Sequence, residues 1–289
     1  MKRSFEPQKI RALAIDLDGT ALLPGGKLGK RTEDCLKNLI SKGMQIIIAT
    51  GRAIEATKKY SDAIGAEGPM VLYNGAEIVD VPSSKILYVN LISLDVIKFT
   101  ADMAYELGIH YQVYLPAGIS PDTGKKDINQ NKETLLINRD GPEADYYHQH
   151  TEIIPIVKDL RDINTLPADG CIKGMYIVDP ILHDEIRRRL KERFNNQINI
   201  IRSYPTFLEV LNIGVSKGEG LKIAMQYRGL NPDEVIAFGD EENDLSMFPV
   251  AGFAGAPQNA RDKIKDAADL VFGPNTEEGL AQYLEKVFL

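Results

Sequence analysis

The sequence predicts an α/β protein in which a doubly wound parallel sheet is interrupted by a second, α+β domain. Short apolar runs alternate with amphipathic helical patterns near both ends of the 289-residue chain, as they do in βαβ units. These runs are apolar throughout, which is typical of parallel strands that are buried on both faces. The middle of the chain differs, because its runs alternate with polar residues and are rich in aromatic ones.

The predicted parallel sheet is built from two separate segments of the chain. The first segment, residues 1–84, contains three apolar strands and two helices that each end before a glycine; the strands cover 10–15, 44–49 and 70–73, and the helices cover 31–42 and 53–64. The second segment, residues 213–289, continues the pattern with helices at 218–228 and 276–287 and strands at 235–238, 251–254 and 269–272.

Residues 85–212 between these segments are predicted to form the inserted α+β domain. The alternating runs at 85–90 and 109–115 predict half-buried strands, and residues 116–133 are a loop rich in Pro, Gly and Asn. A helical pattern follows at 144–150. A strand pair is predicted at 199–202 and 207–211, joined by a turn at 203–206.

Composition and charge exclude several classes of function. The net charge is −7 and no basic run is present, so the sequence offers no footprint for nucleic acid or for an anionic membrane surface. No apolar stretch approaches the roughly 20 residues of a spanning helix, and no signal peptide is recognisable. Two cysteines are too few for a disulfide framework, which favours a reducing compartment and a cytoplasmic protein.

Polar residues follow each of four predicted parallel strands. Asp16 follows the first strand, Thr50 and Gly51 the second, Asn74 the third, and Asp240 a later one. Any one of these residues is most simply part of a turn that ends a strand. Four such groups at the carboxyl ends of one sheet are better explained by a ligand site, because ligands of open α/β sheets bind there.

The acidic residues predict a site for a hard cation. Asp16, Asp18 and Asp240 supply only oxygen, and Mg²⁺ prefers a few carboxylates together with water and a substrate phosphate. A calcium-binding loop that starts at Asp16 is excluded by spacing, since Ala21 stands where the loop needs glycine and Lys27 where it needs glutamate. Zinc is disfavoured because the cysteines are far apart and the four histidines lack ligand spacing.

Other residues at the same sheet edge predict a phosphate site. Thr50 and Gly51 offer a hydroxyl group and backbone N–H groups where a strand turns into a helix, which suits a phosphate oxygen. Lys217 begins a predicted helix and would neutralise both the phosphate and the nearby acids. The chain contains no P-loop, because the pattern G-x-x-x-x-G-K-[ST] is absent.

At this point the sequence resembles the haloacid dehalogenase (HAD) superfamily of phosphatases. "DLDGT" at 16–20, "ATGR" at 49–52, "SKGEGL" at 216–221 and "GDEENDLSMF" at 239–248 occur in the order of the four motifs of that superfamily. The segments "YNGA" at 73–76, "FLEVLNIGVSKG" at 207–218 and "AGFAGAPQNARDKIKDAADLV" at 251–271 are similar to its Cof-type subfamily, which carries a type IIB cap domain. The resemblance implies a Rossmann-like core and identifies residues 85–212 as the cap.

The resemblance also implies the reaction and the roles of the acids. The expected function is Mg²⁺-dependent hydrolysis of a small phosphorylated metabolite, such as a sugar phosphate, through an aspartyl-phosphate intermediate. Asp16 is expected to be the nucleophile and Asp18 the general acid and base. The Mg²⁺ ion is expected to bind the Asp16 carboxylate, the backbone carbonyl of Asp18, and Asp240.

The remaining motif residues receive supporting roles by the same resemblance. Thr50, the Gly51 backbone and Lys217 are expected to hold the transferring phosphoryl group. Asn243 either touches that group or orders its loop. Asp244 orients Lys217 or a metal-bound water molecule. The "YNGA" segment adds Asn74 as a supporting residue.

Two alternatives to a phosphatase remain open at this point. A phosphomutase or phosphotransferase would use the same residues, with a second hydroxyl group rather than water receiving the phosphoryl group. A non-catalytic binding module is disfavoured because every motif carboxylate is present. Pro257 and Gln258 depart from the Met-Gly pair that is common in the family, so the loop before Asn259 is expected to be set differently.

Substrate specificity is expected in the inserted domain. In the segment "HYQVY" at 110–114, His110, Gln112 and Tyr114 share one face of the predicted strand and the intervening residues share the other. The first face carries more hydrogen-bonding groups, so Gln112 and Tyr114 are predicted to face the substrate. The alternative is that these side chains only pack the inserted domain.

Overall fold

The computed structural model describes residues 5–83, 85–126, 134–151 and 153–289. It divides into two compact units. One unit comprises the segment that ends at Arg52 together with Thr57–Tyr88 and Ser216–Leu289, and the other comprises Ala53–Ala56 and Val89–Val215. The predicted loop over 116–133 is described as far as residue 126, and residues 127–133 lie outside the described part of the chain.

The secondary structure elements form three groups along the chain. The first and the last group are of the α/β type, and the middle group is of the α+β type. The N-terminal part contains β1 Ala12–Ile15, β2 Leu22–Leu23, β3 Lys27–Leu28, α1 Lys30–Ser41, β4 Gln45–Ile48, α2 Ile54–Ile64, β5 Pro69–Leu72, β6 Glu77–Asp80 and β7 Lys85–Val89. The middle contains α3 Leu94–Leu107, β8 His110–Leu115, β9 Thr134–Ile137, α4 Pro142–Thr151, β10 Ile156–Val157, β11 Lys173–Ile177, α5 His183–Phe194, β12 Ile198–Tyr204 and β13 Phe207–Asn212. The C-terminal part contains α6 Lys217–Arg228, β14 Val235–Phe238, β15 Phe253–Pro257, α7 Asp262–Ala267, β16 Leu270–Phe272 and α8 Gly279–Phe288.

The first unit is organised around a five-stranded parallel sheet in the order β16-β15-β14-β1-β4. All four residues of β1 are buried, as expected for the centre of a sheet that is covered on both faces. Strands that are distant in sequence are neighbours here, since β1 pairs with both β4 and β14. The predicted fold class, a doubly wound parallel sheet with an inserted α+β domain, is confirmed.

The third predicted parallel strand pairs differently from the expectation. The segment β5 meets the parallel sheet through a bridge between Ala49 and Val71 and a 2.8 Å hydrogen bond from Thr50 N–H to Val71 O. Its ladder is antiparallel, with β6, in a three-stranded sheet of order β5-β6-β7. The reason is local, because residues Tyr73–Gly75 adopt positive φ angles and turn the chain back on itself.

The second unit contains a six-stranded sheet in the order β10-β9-β8-β11-β13-β12. One face packs against α3 and α5, with Tyr111 and Val113 of β8 in the same apolar cluster as residues of both helices. On the other face Tyr147 of α4 lies against Tyr114 and Phe207, with ring centroids 6.4 and 5.8 Å apart. Both faces of this sheet are therefore covered at β8.

The helices begin and end where local chemistry allows. The first turn of α6 is capped by Ser216, whose hydroxyl group accepts a 3.1 Å hydrogen bond from Glu219 N–H. Gly229 ends that helix in the left-handed conformation that only glycine adopts without strain. Within the described ranges, no helix combines the length and the apolar character that crossing a membrane requires.

Candidate active site

The predicted site residues of the first unit meet at the carboxyl ends of its parallel strands. Asp16 directly follows β1, Thr50 follows β4 and Asp240 follows β14, while Lys217 is the first residue of α6. This is the edge at which open α/β sheets bind ligands. The chain therefore brings together residues that are more than 200 positions apart, as the pairing of Lys217 with Asp16 shows.

A buried ion pair network lies at the centre of this site. Lys217 donates to Asp16 Oδ1 at 2.5 Å and to Asp244 Oδ1 at 2.6 Å, and all three side chains are at least nine-tenths buried. An ammonium group has three N–H donors, so these two bonds leave one donor for a further acceptor. The arrangement fixes both the nucleophile candidate and the cation beside it.

Charge is unbalanced around Asp16. Burial raises the pKa of Asp16 well above its usual value; Lys217 opposes this shift, and the charges of Asp244, Asp240 and Asp18 add to it. Burial alone lowers the pKa of Lys217, but the charges of Asp16 and Asp244 outweigh it and hold that pKa above its usual value. The ammonium group therefore stays charged among an excess of carboxylates.

Asp244 holds the loop after β14 in place. Its Oδ2 accepts hydrogen bonds from the backbone N–H groups of Asp240 and Glu241, both at 2.9 Å, while Oδ1 accepts from Lys217. Space at this point is tight, since a Cβ on Gly239 would lie 2.3 Å from the Cβ of Asp244. Asp244 thus contacts both Lys217 and the backbone that carries Asp240.

The glycine in "DLDGT" is required by Asp240. Gly19 has a φ of +82°, and a Cβ at this position would lie 2.2 Å from Asp240 Oδ2. Thr20 donates from its hydroxyl group to Asp240 Oδ1 at 2.7 Å. Burial and the neighbouring charge of Asp244 raise the pKa of Asp240 to about 7, against the hydrogen bond from Thr20.

Three carboxylates form a group that fits a divalent cation. Oxygen atoms of Asp16, Asp240 and Asp244 all lie within 4.8 Å of one another, and all three residues are buried. Lys217 is the ammonium group that pairs with Asp16 and Asp244, so the carboxylates of this set outnumber the cation beside them. An all-oxygen donor set with that excess charge suits Mg²⁺.

Asp18 is placed differently from the other acids. Its side chain is 56 % exposed and accepts a bidentate pair of hydrogen bonds from Arg52, at 2.7 Å from Nε and 2.6 Å from Nη2. The Asp18 carboxylate is therefore not one of the three clustered carboxylates, and its backbone carbonyl stays a prediction as a metal ligand. Arg52 also lies over the ring of Tyr60, with its Cζ 5.4 Å from the ring centroid.

Arg52 is a site residue that the sequence analysis did not single out. The signal was present, because Arg52 is the cation that directly follows the predicted phosphate-binding turn in "ATGR". Its importance depends on the bidentate pair with Asp18, a geometry that arginine forms and lysine does not. Sequence spacing alone does not show which of several acids an arginine will meet.

The predicted phosphate-binding residues Thr50 and Gly51 form a connected group with Asn74. Thr50 is buried, and its Oγ1 accepts from Arg52 N–H at 3.2 Å. Asn74 N–H donates to Thr50 O at 3.0 Å, and Asn243 Nδ2 donates to Asn74 Oδ1 at 2.8 Å. A Cβ on Gly51 would lie 3.2 Å from Asn74 Oδ1, so the two residues are in close contact.

Gln112 and Tyr114 lie in the second unit, on the face of β8 that the sequence predicts. The strand is not half-buried as predicted, because all six residues of β8 are buried. Gln112 Oε1 lies 3.1 Å from His110 Nε2, Gln112 Nε2 donates to Tyr114 Oη at 3.2 Å, and Tyr114 hydrogen-bonds to Tyr147. The helix α4 covers this face. Substrate recognition by Gln112 and Tyr114 stays a prediction, and their burial favours the packing alternative.

Comparison with known proteins finds one family that spans almost the whole chain. The sequence profile of the haloacid dehalogenase-like hydrolases matches residues 13–284. A putative phosphatase of Haemophilus influenzae is 32% identical over 96% of this chain and 97% of its own. The pyridoxal phosphate phosphatase YbhA of Escherichia coli is 26% identical over 95% and 97% of the two chains. The solved structure of a subclass IIB sugar phosphatase of this superfamily matches with a TM-score of 0.75 at 22% identity, covering 96% and 98% of the two chains.

Proposed function

Since the chain belongs to the haloacid dehalogenase-like hydrolase family, we propose that it is a Mg²⁺-dependent phosphatase that releases inorganic phosphate from a small phosphorylated metabolite. The observation that carries the proposal is the Asp16 carboxylate, held at the end of β1 by Lys217 and adjacent to two further buried acids. A carboxylate fixed in this way is suited to nucleophilic attack on phosphorus.

The reaction proceeds in two halves. Asp16 attacks the phosphorus atom, the bond between phosphorus and the leaving oxygen breaks, and Asp18, in its protonated form, gives that oxygen its proton. Water then attacks the phosphorus of the aspartyl phosphate, Asp18 takes a proton from the water, and the bond from phosphorus to Asp16 breaks. Inorganic phosphate leaves and both aspartates are restored.

The phosphoryl oxygens are bound by groups at the ends of β4 and α6. The Thr50 hydroxyl group, the Gly51 N–H and the remaining N–H of Lys217 are the donors that this proposal assigns to them. Asp16 and Asp240, together with the backbone carbonyl of Asp18, are the assigned ligands of Mg²⁺, and Asp244 supports them. The bound cation supplies positive charge that offsets the charge developing on the phosphoryl group.

Asp18 must leave Arg52 to reach the leaving oxygen. Its side chain is 56 % exposed, so packing does not hold it in the present rotamer. In the bidentate pair Asp18 is a carboxylate, so it takes up a proton from the solvent when it leaves Arg52 and before it acts as the acid. Asp18 thus acts as the acid in the first half of the reaction and as the base in the second.

Replacing Asp18 is expected to slow both halves of the reaction. Asp18→Asn should lower kcat by about 10²–10⁴-fold, the usual contribution of general acid and base catalysis. The loss should be larger for alkyl phosphates than for p-nitrophenyl phosphate, whose leaving group needs less help from an acid. Equal losses in kcat/KM on both substrates, a parameter that reports the step in which the leaving group departs, would argue against proton donation by Asp18.

The substrate proposal is a small phosphate monoester, with sugar phosphates as the first class to test. The described side chains of the site supply groups for a phosphate and a cation, so we assign recognition of the rest of the substrate to the inserted domain, residues 85–212. The relative YbhA is named for pyridoxal phosphate, which is also a small phosphate monoester. Both observations support a metabolite rather than a macromolecule.

Phosphate release by the purified chain tests the proposed function. The assay contains Mg²⁺ and a panel of hexose phosphates, pyridoxal phosphate and p-nitrophenyl phosphate, with inorganic phosphate as the readout. A phosphatase releases phosphate in proportion to the alcohol formed. A phosphomutase or phosphotransferase would instead form a new phosphate ester with little free phosphate, and a binding module would release none from any substrate.

A further inference from the structure

The turn that follows β5 has an unusual backbone. Tyr73, Asn74 and Gly75 have φ angles of +49°, +59° and +97°, and all three are buried. Positive φ is uncommon for residues other than glycine, and such backbone conformations cluster at functional sites. Glycine is required at the third position, because a Cβ on Gly75 would lie 2.2 Å from the backbone oxygen of Ser216.

This turn is bonded to the phosphate-binding turn. Asn74 N–H donates to Thr50 O at 3.0 Å, and Tyr73 N–H donates to Arg52 O at 3.1 Å. The Asn74 amide also lies against Gly51, where a Cβ would come within 3.2 Å of Oδ1 and 3.3 Å of Nδ2. The left-handed backbone thus places one asparagine side chain directly beside the turn that binds phosphate in the proposed function.

The same side chain reaches the loop that carries the acids. Asn243 Nδ2 donates to Asn74 Oδ1 at 2.8 Å, and Asn243 Oδ1 is buried without a hydrogen-bond partner among the described residues. Asn243 O accepts from the Ser246 hydroxyl group at 3.0 Å, and Ser246 Oγ accepts from Gly218 N–H at 3.0 Å. The connection therefore extends from the turn to the first residues of α6.

We propose that Asn74 is a positioning residue whose amide, through Asn243, fixes the phosphate-binding turn Thr50–Gly51 relative to the Asp240–Asp244 loop. The proposal rests on the proposed phosphatase function and extends it. It also chooses between the two roles that the sequence leaves open for Asn243. One amide N–H of Asn243 is committed to Asn74, which favours ordering of the loop over contact with the phosphoryl group.

The substitution Asn74→Gly tests the role of the side-chain amide without changing the backbone conformation of the turn. Glycine adopts the positive φ at least as easily as asparagine, so the turn is kept and the side chain is lost. We expect kcat to fall by about 10–100-fold with KM nearly unchanged, because a displacement of about 1 Å in the site costs up to 10²-fold. The melting temperature and the inhibition constant of inorganic phosphate should stay close to those of the wild type.

Asn243→Ala removes the same contact from the other side. We expect a similar loss of kcat, and we expect the double variant to lose no more than either single variant, since both remove one connection. Asn195→Gly is the matched control, because Asn195 has a φ of +40° and is exposed at the end of α5 in the other unit. It should leave kcat unchanged.

Three outcomes would overturn the proposal. If Asn74→Gly keeps the kcat of the wild type, the asparagine is needed only for the positive φ angle of the turn and not for its side-chain amide. Losses that multiply in the double variant would show that Asn74 and Asn243 act separately. A selective loss of phosphate inhibition in Asn243→Ala would assign Asn243 to the phosphoryl group. If the wild type releases no phosphate, the proposed phosphatase function itself is refuted. The three results above require an active wild type, so they test only the role of Asn74.

Discussion

Asp16→Asn is expected to abolish turnover, with a loss in kcat on the order of 10⁶-fold, as when a covalent nucleophile is removed from a hydrolase. An amide does not attack phosphorus, and the neighbouring carboxylate of Asp244 is held by Lys217 and two backbone N–H groups. The measurement is phosphate release under single-turnover and steady-state conditions. Trapped aspartyl phosphate in the wild type and its absence in the variant would support the covalent step.

The fold should survive this substitution. Because burial and neighbouring acids raise the pKa of Asp16, the folded state disfavours its charged form, and a neutral amide relieves that cost. In metal-free buffer the melting temperature of Asp16→Asn should equal or exceed that of the wild type. Asp34→Asn, at an exposed acid paired with Lys30, is the control that should keep full activity. A tenfold change in rate corresponds to about 1.4 kcal/mol of activation free energy. If the activity of Asp16→Asn stays within tenfold of the wild type, covalent catalysis by this residue is refuted.

Removal of divalent metal is the second change with a very large expected effect. Chelation by EDTA should reduce phosphate release to the background rate, and Mg²⁺ should restore it, because the cation offsets the charge of the clustered carboxylates Asp16, Asp240 and Asp244, which outnumber the one ammonium group of Lys217. Binding of Mg²⁺ should also raise the melting temperature. At about 100 times the dissociation constant the expected stabilisation is about 2.7 kcal/mol.

Asp240→Ala isolates the metal site from other effects of EDTA. The variant should lose both the activity and the rise in melting temperature on addition of Mg²⁺, while Asp34→Asn keeps both. The thermal readout needs no substrate, so it tests the cation site independently of turnover. Full phosphate release by a metal-free preparation would exclude the Mg²⁺ proposal.

Much of the fold could be predicted because periodicity is a local property. The continuous apolar runs of β1, β4 and β14 and the stripe of α1 indicate buried strands and an amphipathic helix without knowledge of their partners. Other elements were not predicted. In α5, "HDEIRRRLKERF", the charged residues obscure an apolar stripe of Ile186, Leu190 and Phe194 that is buried in the structure.

Which strands pair with each other is harder to predict from sequence than which segments form strands. The apolar run 70–73 was expected in the parallel sheet, but β5 pairs with β6 through a left-handed turn whose backbone the residue pattern does not reveal. The face of β8 with Gln112 and Tyr114 follows from period-2 alternation, whereas the contact of Tyr114 with Tyr147 depends on α4, which begins 27 residues after β8 ends. Which element covers a face is decided by packing at long range.

The sequence by itself determined the α/β class and the chemical types at the sheet edge: carboxylates, a hydroxyl group, a glycine turn and one lysine. These follow from the order of residues, since parallel strands present their carboxyl ends on one side. Only the tertiary structure decided which acid meets which cation. Lys217 pairs with Asp16 and Asp244, while Asp18 turns to Arg52, although Asp16 and Asp18 are two residues apart. The physical reason is burial: the interior accepts a carboxylate beside an ammonium group and backbone N–H donors, and the half-exposed Asp18 finds its partner at the surface.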